Sequence, residues 1–380
     1  MDSSWSEHAA NMHDAAADFG RSLNEGLSER DAIAQPDLDA WRRCAEFGVL
    51  GLAVPERHGG VDEELPAVAH ALEGLGYGCA DNGLLFALGA QAWSVQMPIL
   101  LFGTEEQKDR HLPDLVAGRV LGAHCVTEPE SGSDALSLRT VAVRDGDQYV
   151  LDGQKTFITS APLAGVFLTV ARVDDDTGTG GLTAFLVEKD APGLSITEPD
   201  EKMELRTSAM GDVYFDGCRV ERSQVLGPVG GGAAVFGAAM EWERSFILAP
   251  ALGTMRRQIE RSIEYARNRS QFGGPIGRNQ AVSGRIADMR LALDTCRLLT
   301  YRTASLKQAG RRLTFEPSQV KLHLSESWVD CSLATLQIHG GSGYMRELGL
   351  ERELRDAIAS RIYSGTSDIQ RMIIASFLGL

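Results

Sequence analysis

Val126-Thr127-Glu128-Pro129-Glu130-Ser131-Gly132-Ser133-Asp134 concentrates hydroxyls and free backbone N–H groups in one short stretch. Such a loop can bond the edge of a flat heterocycle or an anionic diphosphate, and it can equally be a polar turn carrying N-cap residues. Further on, Tyr265-Ala266-Arg267-Asn268-Arg269-Ser270-Gln271-Phe272-Gly273 offers two guanidinium groups. Guanidinium pairs its planar donors with phosphate oxygens and stays charged, although arginine also commonly solvates a helix end. In Gln337-Ile338-His339-Gly340-Gly341-Ser342-Gly343-Tyr344 the glycines let the backbone come close to a ligand. No βαβ pattern surrounds that run, so it is not a Rossmann fingerprint. The eight histidines form no metal-ligand pattern, and His339 reads as structural.

These segments need a scaffold, and 380 residues are enough for two or three domains with packed cores. Residues 1–118 read as helical: Leu38, Trp41, Cys44, Ala45 and Val49 recur mostly at three- and four-residue steps. Thr104-Glu105-Glu106-Gln107 predicts a helix start with a capping box. Between 119 and 226 the pattern becomes strand-like. Val141-Ala142-Val143, Tyr149-Val150-Leu151, Val166–Val170 and Leu182–Val187 are separated by short polar turns, among them Asp152-Gly153, which reads as a hairpin turn. Gly227-Pro228 and Gly230-Gly231-Gly232 mark a return to helix. Val282, Ile286, Met289, Leu293 and Cys296 then keep the spacing of helices packed in a bundle.

A net charge of -15 argues against nucleic acid or an anionic membrane as partner. The six cysteines (Cys44, Cys79, Cys125, Cys218, Cys296, Cys331) are scattered, as expected of buried thiols in a reducing cytoplasm. No apolar run approaches ~18 residues, which predicts no membrane span. Met1–Glu7 lacks the basic start and apolar core of a secretion signal.

In this order the motifs resemble those of the acyl-CoA dehydrogenases, flavoproteins that desaturate acyl thioesters, and the resemblance covers nearly the whole chain. It implies an α+β fold: an N-terminal helical domain (1–118), a central β-barrel domain (119–226) and a C-terminal four-helix bundle (227–380). It also implies bound FAD. Thr127, with the neighbouring backbone of Cys125 and Val126, would bond the flavin pyrimidine ring, and Ser133 would touch the pyrophosphate. Gly153-Gln154-Lys155-Thr156-Phe157-Ile158-Thr159-Ser160 resembles the next family motif. Phe157 stands where a Trp usually shields the flavin, Ile158 follows it, and the Thr159 hydroxyl would reach the N5 region. Arg269 corresponds to the residue that binds the FAD diphosphate of a neighbouring subunit, with Gln271 and Phe272 against its ribityl and adenine parts. Gln337, Gly340 and Gly341, with Thr366 and Asp368, would hold the adenosine-diphosphate half. A shared site implies an oligomer, in this family usually a homotetramer.

Arg361-Ile362-Tyr363-Ser364-Gly365-Thr366-Ser367-Asp368-Ile369-Gln370-Arg371 resembles the family's C-terminal signature. Most members carry Glu where this chain has Ser364, and that Glu is the catalytic base. A serine hydroxyl cannot remove the α-proton of a thioester near neutral pH. The isovaleryl and long-chain types place their base on another helix, just before an Arg. Glu243-Arg244 matches that arrangement, so the resemblance assigns Glu243 as base with Arg244 in support. Glu241 lies two residues away and points to another face of the helix, and Glu128 belongs to the cofactor side. The Ser364 backbone N–H keeps the family role of polarising the thioester carbonyl.

Trp242-Glu243-Arg244, Ser364–Asp368 and Gly78–Leu84 together resemble one branch, which oxidises thioesters tethered to carrier proteins in natural-product pathways. Its best-known members turn prolyl- into pyrrolyl-carrier protein by two flavin oxidations. The alternatives are a free short- or branched-chain acyl-CoA as substrate, a flavin monooxygenase or oxidase on the same fold, and a binding protein without flavin. An electron-transfer flavoprotein or oxygen would take the electrons.

Overall fold

The computed structural model describes residues 5–174 and 181–380. Helices carry the chain to Val116, from Glu7–Arg21 through Leu38–Glu46 and Leu65–Gly78 to Glu105–Val116. The last of these begins as its sequence predicts. Thr104 Oγ1 accepts from the Gln107 N–H at 3.2 Å, and Gln107 Oε1 accepts from the Thr104 N–H at 3.0 Å. Trp41, Cys44, Ala45 and Val49 are buried, whereas Leu38, at the helix start, is exposed.

One stretch departs from expectation. Asn82–Phe102 is a continuous helical run of 21 residues, long and apolar enough to pass for a membrane span. Gln91, Ser94 and Gln96 interrupt its apolar sequence, yet all three are buried with it in the core, so the run belongs to the protein interior. Its middle, Ala92–Gln96, is a π-helical turn. Single π-turns of this kind are frequent at functional sites.

The central layer is an eight-stranded sheet: β1 (Gly122–Cys125), β2 (Val141–Asp145), β3 (Gln148–Thr159), β4 (Val166–Asp174), β5 (Gly181–Glu188), β6 (Leu194–Ile196), β7 (Met210–Glu221) and β8 (Val225–Leu226). The strand order is β6-β7-β3-β2-β4-β5-β8, with β1 added parallel to β4. Asp152-Gly153 is not the turn expected from its sequence. β3 runs straight through it, and its pairing with β7 slips one position between Leu151 and Gly153, a β-bulge. Asp152 Oδ1 accepts from the Gly217 N–H at 2.7 Å, and a Cβ on Gly153 would stand 2.5 Å from Thr140 Oγ1. A second slip falls between Lys155 and Ile158.

Helices return at Gly232–Phe246 and continue through Ala249–Asn268, Gln280–Gln308 and Glu316–His339 to Ser367–Phe377. One apolar core joins them to the N-terminal helices, with Val68, Leu72, Leu252, Met255 and Leu324 in a single cluster. Two smaller cores lie within and beside the sheet. The fold class is the α+β arrangement read from the sequence.

Candidate active site

Glu243 lies in the last turn of the Gly232–Phe246 helix and is 7% exposed. A carboxylate so buried must have its lone pairs satisfied. Two serines do this from distant parts of the chain. Ser364 Oγ donates to one carboxylate oxygen and Ser94 Oγ, from the π-helical turn, donates to the other. The next residue ties the same loop down: Arg244 Nε donates to the Ser364 carbonyl at 3.0 Å. Burial pulls the Arg244 pKa down, and the neighbouring Glu243 charge opposes that shift.

Ser364 has φ 57, a left-handed conformation that a non-glycine residue keeps only when its surroundings hold it there. They do. Besides Arg244, Gln370 Nε2 donates to the Ser364 carbonyl at 3.1 Å and to the Gly365 carbonyl at 2.8 Å. Gly365, with φ 86, leaves room for that amide, since a Cβ there would meet Gln370 Nε2 at 2.7 Å. Thr366 accepts from the Ile369 N–H at 3.3 Å and so caps the final helix. The Ser364 N–H donates to no group among the described residues. Asp368 sits exposed in the first turn of that helix, paired with Arg371 at 3.0 Å.

The other acids near these motifs have partners elsewhere. Glu241 pairs with Lys307, whose ammonium also lies 4.0 Å from the Trp242 ring centroid. Trp242 stacks on Trp93 with centroids 6.0 Å apart. Glu128 is 4% exposed and accepts from Lys155 Nζ at 2.8 Å and from the Thr140 N–H at 2.9 Å. Burial pushes its carboxyl up, but these bonds outweigh burial and hold it below the usual range.

The loop of Thr127 and the strand of Phe157 are brought together, with the Thr156 N–H donating to the Thr127 carbonyl at 2.9 Å. The bulge in β3 turns Phe157 out of the sheet with φ 58 and leaves the residue 64% exposed. Strained backbone of this kind clusters at ligand and active sites. Thr159 ends the same strand, and Ser133 stands exposed on the loop. Cys125, Val126 and Ile158 are buried, so only their backbone can serve a ligand. Of that backbone, the Cys125 carbonyl already accepts from Thr169 and the Val126 carbonyl from Lys155, each at 3.2 Å.

Arg269, Gln271 and Phe272 occupy a small two-stranded turn after the Ala249–Asn268 helix. Phe272 has φ 54 and is 98% exposed at its tip. Gln337, Gly340 and Gly341 lie nearby at the end of Glu316–His339. Tyr265, whose carbonyl accepts from the Arg269 N–H at 2.8 Å, stacks on His339 with centroids 4.4 Å apart. Gly340 and Gly341 present open backbone, with no atom within 4 Å of where a Cβ would be. Among the described residues no hydrogen bond or ion pair joins this cluster to the Thr127–Phe157 cluster.

Sequence reasoning missed Ser94. Its one signal is a hydroxyl, flanked by Gln91 and Gln96, in an otherwise apolar helical run. It missed Gln370 as well, which lies inside a recognised motif and reads there as a helix residue.

The sequence models of the acyl-CoA dehydrogenase N-terminal, middle and C-terminal domains match residues 6–119, 123–218 and 230–379. An L-prolyl-[peptidyl-carrier protein] dehydrogenase of Pseudomonas fluorescens is 42% identical over 341 residues, covering 90% of each chain. The crystal structure of the prolyl acyl carrier protein oxidase AnaB superposes with a TM-score of 0.97 at 44% identity, over 99% of this chain and 100% of that one. A structure of PigA with FAD and proline superposes with a TM-score of 0.96 at 36% identity, covering both chains fully. With three matched domains in order, and relatives this similar along nearly its whole length, the chain belongs to the acyl-CoA dehydrogenase family.

Proposed function

We propose that this enzyme is an FAD-dependent dehydrogenase that desaturates an L-prolyl thioester held on a carrier protein, with Glu243 as the base. The observation that carries the reading is the buried Glu243 carboxylate, fixed by hydroxyls from Ser94 and Ser364 at the point where most of the family would carry its Glu. The carrier-protein substrate rests on the similarity to the prolyl-carrier enzymes.

The chain's own surfaces suit FAD. The exposed, strained Phe157 ring offers a face for a flat heterocycle, with Thr159 at the end of the same strand and Thr127 on the loop hydrogen-bonded to it. Arg269 and the open Gly340-Gly341 backbone each suit a diphosphate. When bound, the flavin accepts the hydride that leaves the carbon next to the α-carbon. Everything else falls to protein groups. Glu243 takes the α-proton, and Ser94 and Ser364 keep its carboxylate aimed. The Ser364 N–H, without an acceptor among the described residues, donates to the thioester carbonyl, where charge builds as the proton leaves.

The resemblance, which assigns Arg269 to the diphosphate bound by a neighbouring subunit, supports a site completed between subunits. So does the exposure of Phe272, Leu291, Leu298 and Leu333 on the C-terminal helices and their turn. We read the oligomer as a homotetramer working in the cytoplasm, where its six buried, free cysteines stay reduced.

Mass spectrometry of prolyl-carrier protein after incubation should show loss of two or four hydrogens, with no change in free short-chain acyl-CoA. Desaturation of the acyl-CoA alone would overturn the substrate, and the same assay run with oxygen or with an electron-transfer flavoprotein identifies the acceptor. Ser94→Ala should keep the fold and slow anaerobic flavin bleaching by roughly tenfold, the scale of one hydrogen bond to a charged group. An unchanged rate would remove Ser94 from the site.

A further inference from the structure

Trp242 precedes Glu243, Phe246 follows it by one turn, and Trp93 precedes Ser94, whose hydroxyl holds the carboxylate. The three rings pack on one another. Trp93 stacks on Trp242 with centroids 6.0 Å apart and planes 6° from parallel, and Phe246 stands 5.1 Å from Trp93 and 5.8 Å from Trp242. Trp242 is the least buried of the three, and Lys307 fixes it, with the ammonium 4.0 Å from the ring centroid and paired with Glu241. Beside the rings lies a small apolar pocket, lined by Leu85, Leu88, Gly89 and Ile247 together with Trp93 and Phe246 themselves. Resting on the reading of Glu243 as base, we propose that Trp93 and Phe246 form a wall that limits the substrate to a compact acyl group, a small ring or a short chain. The pocket is what remains of the space that a longer chain would need.

The wall stands where the acyl group must go. Residues three and four apart share a helix face, so Glu243, Phe246 and Ile247 point the same way. The two carboxylate oxygens are held separately, one by Ser364 and the other by Ser94. A thioester whose carbonyl lies at the Ser364 N–H therefore sends the rest of its acyl group toward Ser94, and so against Trp93 and Phe246. Those rings have little freedom to swing aside. Trp93 is 4% exposed and Phe246 0% exposed, and a packed interior resists the turning of large side chains. The pocket behind them is tight as well. Gly89 stands half-buried at its edge, and a Cβ there would lie 2.8 Å from Ile247 Cδ1 and 3.6 Å from Trp93 Cδ1. Even one methyl group crowds this space, so an extended chain has no path while the rings stand.

Anaerobic flavin bleaching of the holoenzyme by pantetheine thioesters tests this. The readout is kcat/KM for the octanoyl thioester, divided by that for the faster of two compact ones, L-prolyl and butyryl. Wild type should favour the compact thioester strongly, and equal bleaching by the octanoyl thioester would overturn the proposal at once. Phe246→Ala and Trp93→Leu should each raise the ratio by at least about tenfold, the lower end of what one methylene is worth in an apolar pocket. The gain should lie mainly in KM for the octanoyl thioester. Where Phe246→Ala does not retain flavin, Phe246→Leu should show a smaller rise in the same direction. Met255→Ala is the control for a loosened core: it empties space in the same apolar cluster without touching the rings, and should leave the ratio in place. A ratio unmoved in the flavin-bound wall variants, or raised as much by Met255→Ala, would make the rings ordinary core packing and overturn the proposal. Glu243→Gln, measured alongside, separates the two ideas. If it is inactive and the ratio is unmoved in the wall variants, only the wall fails; if it bleaches normally, the base assignment fails while the ratio still decides the wall.

Discussion

Glu243→Gln should purify yellow and bind thioester, yet bleach under anaerobic conditions about 10² to 10⁴ times more slowly than wild type, the usual contribution of a positioned general base. The amide matches the carboxylate in size, so packing around Phe246 and Trp242 is preserved. Its oxygen can still accept from one serine, while its NH₂ meets the other and forces that hydroxyl to turn. What it cannot do is take up a proton. Flavin absorbance before substrate addition is the control for folding and cofactor binding. Glu241→Gln is the control for charge. That residue pairs with Lys307 on a different side of the same helix, so its loss should leave bleaching near the wild-type rate. Normal turnover in Glu243→Gln would favour an oxygen-using flavoenzyme on this fold, in which no carboxylate is needed at that point. The serines make a graded series possible. Ser364→Ala removes one hydroxyl from the carboxylate but leaves the Ser364 backbone N–H in place, so its effect isolates the aim of the base from the polarisation of the carbonyl.

The order of helical and strand-rich segments was legible because it rests on local patterns: three- and four-residue apolar steps, short polar turns and a capping box at Thr104. Motif positions were legible for a similar reason, since each lies within one continuous stretch. The unread features depend on contacts between distant residues. Asp152-Gly153 has the composition of a hairpin turn, but the pairing of β3 with β2 and β7 on both sides keeps it in the strand, and only the bulge remains. Ser94 lies 149 positions from Glu243, and nothing in its neighbourhood announces a carboxylate. Lys321 looks like the solvated residue that most lysines are, yet the fold buries it fully. Phe157 was named for its ring. Its left-handed backbone, which turns that ring outward, comes from the second register slip in β3 and has no counterpart in the residue types.

That slip is braced from beneath by Lys155, and Lys155→Met should be the most damaging single change outside the base. The side chain is 0% exposed, and its Nζ donates to Glu128 Oε1 at 2.8 Å and to the Val126 carbonyl at 3.2 Å. It therefore fastens the Thr127 loop to the strand that presents Phe157. Removing it leaves the Glu128 carboxylate buried, still bonded to the Arg139 and Thr140 N–H groups but without a counter-charge. Breaking one side of such a pair costs about 3–5 kcal/mol. The expected result is a drop in Tm together with weaker FAD retention on dilution, because the loop loses its anchor. Glu128→Gln combined with Lys155→Met should recover much of the Tm, since no unpaired charge remains, but not the FAD affinity, since the loop stays unfastened. This difference is what identifies the pair as an organiser of the cofactor surface. If the double variant regained both, the ion pair would only be balancing its own charges, and the loop would owe its shape to the Thr140 and Thr156 hydrogen bonds alone.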